Sequence, residues 1–399
     1  MNTDLKRHPR QIKPRRTLPV LLTPILLLAL LYSPLSAQLQ VGVSGYSVVD
    51  DNVFSSYKAE QDLYLLPSLN LSLSQPMSDW YYSADILQLM KNSQYNSFTH
   101  AIGTEIYPES TQSRLKTTLG ASLSFRINQD DYSYRNFAQF RAYAAGKIYP
   151  RPNMLTKAEI SYTNKSFPDV YSWNLPWDHQ EFSIGAQNSL FLQTGTTLRG
   201  GLITYIRDFA PYQAFMDGYL YAGEIPTLWQ ALATLRLAQS FSGSMGGYTE
   251  FSYRYNPSES NPYEPEIMSF SPIDDYFGYE ESAWTLNLKY KFSRRFSFSS
   301  SAYLYEKLYR NRPVYEYDFD TGEFLLDEEG YYISRGFTRE DSGYSLNARL
   351  AWTLPKLLGK DRSAMLQLNY DLGSNNSNDP YFDYLKQTVS LYLAVNFHQ

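Results

Sequence analysis

The chain closes on LKQTVSLYLAVNFHQ, residues 385–399. Leu385, Gln387, Val389, Leu391, Leu393, Val395 and Phe397 alternate with Lys386, Thr388, Ser390, Tyr392, Ala394 and Asn396. A repeat of two sends successive side chains to opposite faces of a strand, so one face here is apolar and the other mostly wet. The same pattern recurs upstream. ESAWTLNLKYKF (residues 281–292) sets Trp284, Leu286, Leu288, Tyr290 and Phe292 against Ala283, Thr285, Asn287, Lys289 and Lys291. RLKTTLGASLSFRI (114–127), GYSLNARLAWTL (343–354) and SAMLQLNYD (363–371) read alike. Strands of soluble sandwiches average about 5–6 residues. Membrane-spanning strands need about 9–11, and these segments are of the longer kind.

The alternation predicts strands near 39–49, 61–74, 79–92, 97–107, 113–127, 134–149, 153–166, 179–193, 196–208, 230–242, 247–257, 281–293, 296–310, 341–354, 362–373 and 384–397. That is about 16, within a range of 14–18. The connections alternate in length. QPMS, TGT, SGSMG and SRR are tight, whereas PDVYSWNLPWDH, the stretch after Phe209, Pro257 to Glu280 and Asn311 to Glu340 are long. Tight turns at one end and long loops at the other mark a membrane barrel. A spanning sheet in lipid must also close on itself, because every backbone N–H and C=O needs a partner there. The expected fold is therefore all-β, a transmembrane antiparallel up-and-down barrel with long extracellular loops and both termini periplasmic. Trp80, Tyr81, Tyr82, Tyr107, Tyr149, Phe292, Phe296 and Trp352 lie near the tight turns, where an aromatic girdle belongs.

The terminal strand, with Phe397 two residues before the end, resembles the C-terminal signal strand of bacterial outer-membrane barrels. That resemblance implies recognition by the barrel-insertion machinery. The opening GYSVVDDNVFSS (residues 45–56) resembles the first strand and loop of uncharacterised bacterial β-barrel porin families. The wider likeness to outer-membrane barrels covers residues 38–399 and implies outer-membrane lipid as the surrounding partner.

The N-terminus is a separate object. Lys6, Arg7, Arg10, Lys13, Arg15 and Arg16 precede the apolar run LPVLLTPILLLALLY (18–32) and then SPLSAQ. A basic head, a short oily middle and a small residue at the cut predict a secretory signal peptide over residues 1–37. The run is too short and too proline-interrupted for a span of about 20 residues. Strand signal begins directly after Ala37, so no periplasmic domain is expected.

Composition narrows the function. The 399 residues include no cysteine, and 37 of them are tyrosine. Mean hydropathy is −0.42, which excludes a helical membrane protein. The formal charge of −5 becomes −10 without residues 1–37, which argues against nucleic acid as a partner. An enzyme is not expected: His100, His179 and His398 are the histidines of the mature chain, and no G-x-S-x-G, phosphate loop or H-E-x-x-H occurs. No cofactor is implied. YEYDFDTGEFLLDEEGYY (315–332) is acidic but fails the calcium-loop spacing at Gly322, and reads better as a hairpin turning at Thr321-Gly322.

The wet face carries the remaining signal. If the apolar face meets lipid, the alternate positions line a lumen. Arg126, Arg141, Lys147, Arg199, Arg207, Arg236, Arg254, Lys289, Arg349 and Lys386 are the candidate pore-lining cations, joined by Lys116, Lys157, Lys291 and Lys307. Inward acids are fewer, chiefly Asp62, Asp85, Glu105, Glu159 and Glu250. Arg and Lys in a pore favour anions, although such cations can also merely hydrate the wall or pair with acids. A barrel of about 16 strands is wide enough for water. The expected function is passive diffusion of small hydrophilic, anionic solutes. The alternative is a barrel without transport, serving surface adhesion or anchoring, or an assembly or secretion machine.

Overall fold

The structure is a computed structural model, and it describes residues 38–108, 115–167, 178–210, 212–216, 219–223, 227–257, 278–319, 321, 323–328, 332–355 and 362–398. The signal-peptide expectation for residues 1–37 lies outside them, as do all of YSWNLPW (171–177) and residues 258–277 of the loop before Gly278. Asp320, Gly322, Glu329 and Gly330 are also outside.

Twenty strands occur in chain order among the described residues. They are β1 (Gln38–Asp50), β2 (Asp62–Gln75), β3 (Ser78–Leu89), β4 (Ser97–Ile106), β5 (Leu115–Asn128), β6 (Phe137–Arg151), β7 (Met154–Ser166), β8 (His179–Phe191), β9 (Thr196–Phe209), β10 (Tyr212–Met216), β11 (Tyr219–Gly223), β12 (Leu228–Ser240), β13 (Met245–Asn256), β14 (Tyr279–Lys291), β15 (Phe296–Tyr315), β16 (Tyr317–Asp318), β17 (Glu323–Phe324), β18 (Ser334–Pro355), β19 (Arg362–Ser377) and β20 (Tyr384–His398). Sixteen of them form one closed barrel, each antiparallel to the next. β10–β11 and β16–β17 are small hairpins within the long loops.

Closure falls on the strand that ends the sequence. β20 pairs with β1 from Gln40↔His398 to Asp50↔Thr388, and its other edge pairs with β19. No barrel edge is left open, which is the condition for burying a sheet in lipid. A typical strand such as β14 has 13 residues. At about 3.3 Å per residue and a tilt of about 40°, such a strand rises roughly 33 Å, more than the roughly 25 Å apolar band of outer-membrane barrels.

The register fixes which face is which. Trp284 of β14 lies opposite Phe251 of β13 and Leu304 of β15, and Leu350 of β18 lies opposite Leu368 of β19, itself opposite Leu391. Trp284, Leu304, Leu350, Leu368 and Leu391 stay well exposed, as do Leu235 at 61% and Ile184 at 62%. Large apolar groups left open around a closed sheet form a belt for lipid, the architecture of bacterial outer-membrane proteins. Trp80, Phe241, Phe292 and Trp352 ring it near the tight turns, and Trp229 and Tyr253 near the loops.

Each of the sixteen expected strands is present, with ends displaced by a few residues. The largest difference is in β15 and β18, which run 20 and 22 residues. Residues 311–315 and 334–340 read as loop because Pro313 interrupts the alternation. Pairing survives it by register shifts between Leu308, Pro313 and Tyr315. The acidic segment forms the expected hairpin, with Tyr317↔Phe324 and Asp318↔Glu323 paired. Two girdle expectations are corrected. Tyr81 stands opposite Gly103 on the inward face. Tyr107 donates its hydroxyl toward Asp79 and Glu105 at 2.7 and 2.8 Å, away from lipid.

Candidate functional site

Alternation from the belt residues assigns the inner wall. All ten candidate cations occupy inward positions. Arg126 is on β5, Arg141 and Lys147 on β6, Arg199 and Arg207 on β9, Arg236 on β12, Arg254 on β13, Lys289 on β14, Arg349 on β18 and Lys386 on β20.

The structure divides them by partner. Arg141 pairs with Glu159 at 3.0 Å, Arg207 with Glu181 at 2.7 Å, Arg236 with Glu250 at 2.6 Å, Arg254 with Glu281 at 3.7 Å and Lys386 with Asp50 at 2.9 Å. Arg126 and Arg349 donate instead to neutral Asn128 and Asn369, at 3.1 and 2.9 Å. Lys147, Arg199 and Lys289 have no acid within 4.0 Å among the described residues. Glu181 and Glu281 were not singled out in the sequence. Their inward parity was readable, but their partners depend on cross-strand register.

The uncompensated cations gather toward the tight-turn end. Lys116 of β5 lies directly opposite Lys147 of β6, which lies directly opposite Lys157 of β7. Arg199 lies opposite Arg236, and the Nε of Arg199 is buried without a hydrogen bond. Like charges set directly across strands destabilise a sheet, by a few tenths to about 1 kcal/mol each.

The wall is also uneven around its circumference. Inward positions of β1 to β4 hold Asp50, Asp62, Asp79, Asp85 and Glu105, and no lysine or arginine. Asp62 is spent on structure. Its carboxylate accepts the backbone N–H groups of Met90, Lys91 and Asn92 at 3.0–3.1 Å, tying the β3–β4 loop to β2. From β5 round to β15 the inward charges are mostly cations. A cavity of about 820 Å³ opens on that side, lined by Arg141, Lys147, Lys157, Lys165, Glu181 and Arg207 among others.

Inward tyrosines lie against the wall. Any Cβ at Gly103 would come within 2.3 Å of the Tyr81 ring, and one at Gly120 within 2.2 Å of the Tyr143 ring. Glycine there lets a ring cover the neighbouring strand. The Tyr143 hydroxyl then donates to Glu105.

At the other end, three loops converge. The β15–β18 loop brings Tyr317 within 5.7 Å of Tyr57 in the β1–β2 loop, centroid to centroid, and within 5.2 Å of Tyr381 in the β19–β20 loop. The Tyr57 and Tyr317 hydroxyls are 3.2 Å apart. Burial and the Tyr57 hydrogen bond push the Tyr317 phenol above its ordinary range, and burial does the same for Tyr381, so these rings carry no charge. A second group packs nearby with tilted rings, Phe54 against Tyr95 at 4.9 Å and Tyr95 against Tyr132 at 4.1 Å, centroid to centroid. A cavity of about 850 Å³ is lined by both groups and reaches inward to Arg126.

No cluster of three or more His, Asp or Glu able to hold a metal occurs among the described residues. His100 faces outward, where the Tyr82 hydroxyl meets its Nδ1 at 2.9 Å.

No family model and no curated protein matches the chain. Solved structures that resemble it include OccD3 (OpdP) of Pseudomonas aeruginosa, at 11% identity over 91% of this chain and 92% of that one, with a TM-score of 0.47. OccK2 (OpdF) of the same organism is 10% identical over 91% and 98%, with a TM-score of 0.44. A loop-deletion mutant of OmpT, an outer membrane protein of Vibrio cholerae, is 7% identical over 91% and 100%, with a TM-score of 0.43.

Proposed function

We propose that this chain is a bacterial outer-membrane channel for passive diffusion of small hydrophilic anions, entering by the long-loop end. One observation carries the reading, the Lys116–Lys147–Lys157 row. Three ammonium groups abreast on an inner wall, without acid partners, weaken the sheet that holds them. They serve as a fixed positive potential beside a water-filled lumen, and rings of Lys or Arg in a pore favour anions. A 16-strand barrel is not filled by its own side chains. The ion-paired arginines contribute less, because Glu159, Glu181, Glu250 and Glu281 neutralise them. The potential therefore deepens toward the turn end, where Lys116, Lys147, Lys157 and Arg199 have no acid partner among the described residues.

Two double variants compared in planar bilayers test this. Lys147→Glu with Lys157→Glu is expected to abolish or invert an anion preference. Arg141→Gln with Glu159→Gln, which removes a neutral pair, is expected to leave it nearly unchanged. Equal effects of the two double variants would refute the lysine row as the determinant.

A further inference from the structure

We propose that the outer wall from β12 to β19 holds one phospholipid, with an acyl chain in a groove and an anionic headgroup on two arginines at the tight-turn end. The site is on the lipid side of the sheet and does not depend on conduction.

The groove follows from the register. Gln239, Gly247, Leu288, Ser300, Ala348 and Tyr370 form one continuous outward row across β12, β13, β14, β15, β18 and β19. The neighbouring outward row is Leu237, Thr249, Leu286, Ala302 and Leu346. Between them runs the inward row Tyr248, Asn287, Ser301 and Asn347, which turns only its backbone to the outside. Several outward side chains here are short, and a cavity of about 830 Å³ opens over that backbone, walled by Leu237, Phe241, Leu286 and Leu346. The sheet itself keeps Gly247 small, because a Cβ there would come within 2.5 Å of the Asn287 carbonyl oxygen. The volume is within the roughly 300–1,000 Å³ usual for small-molecule sites.

The row also has a definite depth in the bilayer. Its members stand second, third, fourth, fifth, eighth and ninth from the turn end of their successive strands. The groove therefore climbs away from the turns as it crosses the sheet. Five steps of about 4.8 Å across strands tilted about 40° raise it by roughly 15 Å, half of the roughly 30 Å hydrocarbon core. That is the depth of one leaflet, the one at the turn end. In this setting an acyl chain matches the groove in length and polarity.

Charge selects the rest of the occupant. The β12–β13 and β14–β15 turns, residues 241–244 and 292–295, stand at the foot of the groove and hold no acid. Arg294 and Arg295 are exposed there and make no ion pair among the described residues. A phospholipid with its chain in the groove carries its phosphate to the level of these turns, where arginines attract an anionic headgroup. A second copy of the barrel would bring a convex apolar wall to the groove and no anion to the arginines.

Native mass spectrometry of the refolded full chain in detergent tests the assignment, with dioleoyl phosphatidylglycerol and dioleoyl phosphatidylcholine as probes. Their chains are identical and their headgroups differ in charge. Phosphatidylglycerol is expected to saturate at one tightly held molecule per chain, bound about tenfold more strongly than phosphatidylcholine. Arg294→Gln with Arg295→Gln, a change confined to the turn surface, should bring it down to the level of phosphatidylcholine. Ser300→Phe with Ala348→Phe fills the groove and should weaken both lipids about tenfold. Ala144→Phe, outward on β6 and away from the groove, should change neither, and it shows that an added ring on the wall leaves the barrel folded. Equal retention of the two lipids by the wild type, binding that never saturates, or full retention by the groove-filled variant overturns the proposal. So does an oligomer that forms without lipid and is lost in the groove-filled variant, which would give the groove to a second copy.

Discussion

Gly120 shows what one missing Cβ does in this wall. The Tyr143 ring occupies the space a side chain would take, and from there its hydroxyl reaches Glu105. Gly120→Val is expected to expel the ring into the lumen, cost about 1–3 kcal/mol and lower single-channel conductance. Adding Tyr143→Ala should restore most of the stability, as read by the heat needed to unfold the barrel on a gel. If Gly120→Val alone is neutral, the ring is not seated as described. At this scale the sequence was only half legible. Parity along a strand is local, so alternation alone put Arg141, Arg236 and Lys289 on one face. Whether a cation meets an acid depends on the neighbouring strand, and Glu181 and Glu281 became visible as partners only when Glu181↔Arg207 and Arg254↔Glu281 came into register.

Strands carry the next level of the argument. Leu286 is 51% exposed in the middle of β14, facing outward, while its neighbour Asn287 faces in. Leu286→Arg is expected to destabilise the barrel by about 2–4 kcal/mol, the cost of a guanidinium near the bilayer midplane. Asn287→Arg should fall well below that in the same refolding titration, and equal costs would mean the faces are reversed. Ser390 of β20 also looks wet in sequence, but it is buried and accepts the Asn369 Nδ2 at 2.9 Å, so an arginine there has no room. Strand existence was legible because a period of two over ten or more residues is a strong signal. The extension of β15 and β18 was not, because Pro313 breaks the pattern while the bulge preserves the pairing.

For the molecule as a whole, orientation and selectivity are the claims at stake. The chain has no cysteine, so single cysteines report position cleanly. Leu326→Cys, in the β15–β18 loop, should react with a membrane-impermeant maleimide on intact cells, and Ser244→Cys, in the β12–β13 turn, only after lysis. The opposite pattern would invert the barrel in the membrane. The loop-end assembly was the least legible part of the chain. Tyr57 and Tyr317 are 260 positions apart, and nothing local to either predicts that their hydroxyls meet. The closed barrel itself was legible end to end, since Leu391 and Val395 announce a lipid face that only closure onto β1 can complete.

The central claim, a water-filled lumen biased toward anions by unpaired lysines, is tested most directly by the reversal potential of the wild-type protein in a planar bilayer under a potassium chloride gradient. The account predicts a potential of the sign that marks chloride as the more permeant ion. It should shrink as both solutions approach 1 M, where the Debye length falls to about 3 Å. A reversal potential marking potassium as the more permeant ion, or a barrel that inserts and passes no current, would contradict it.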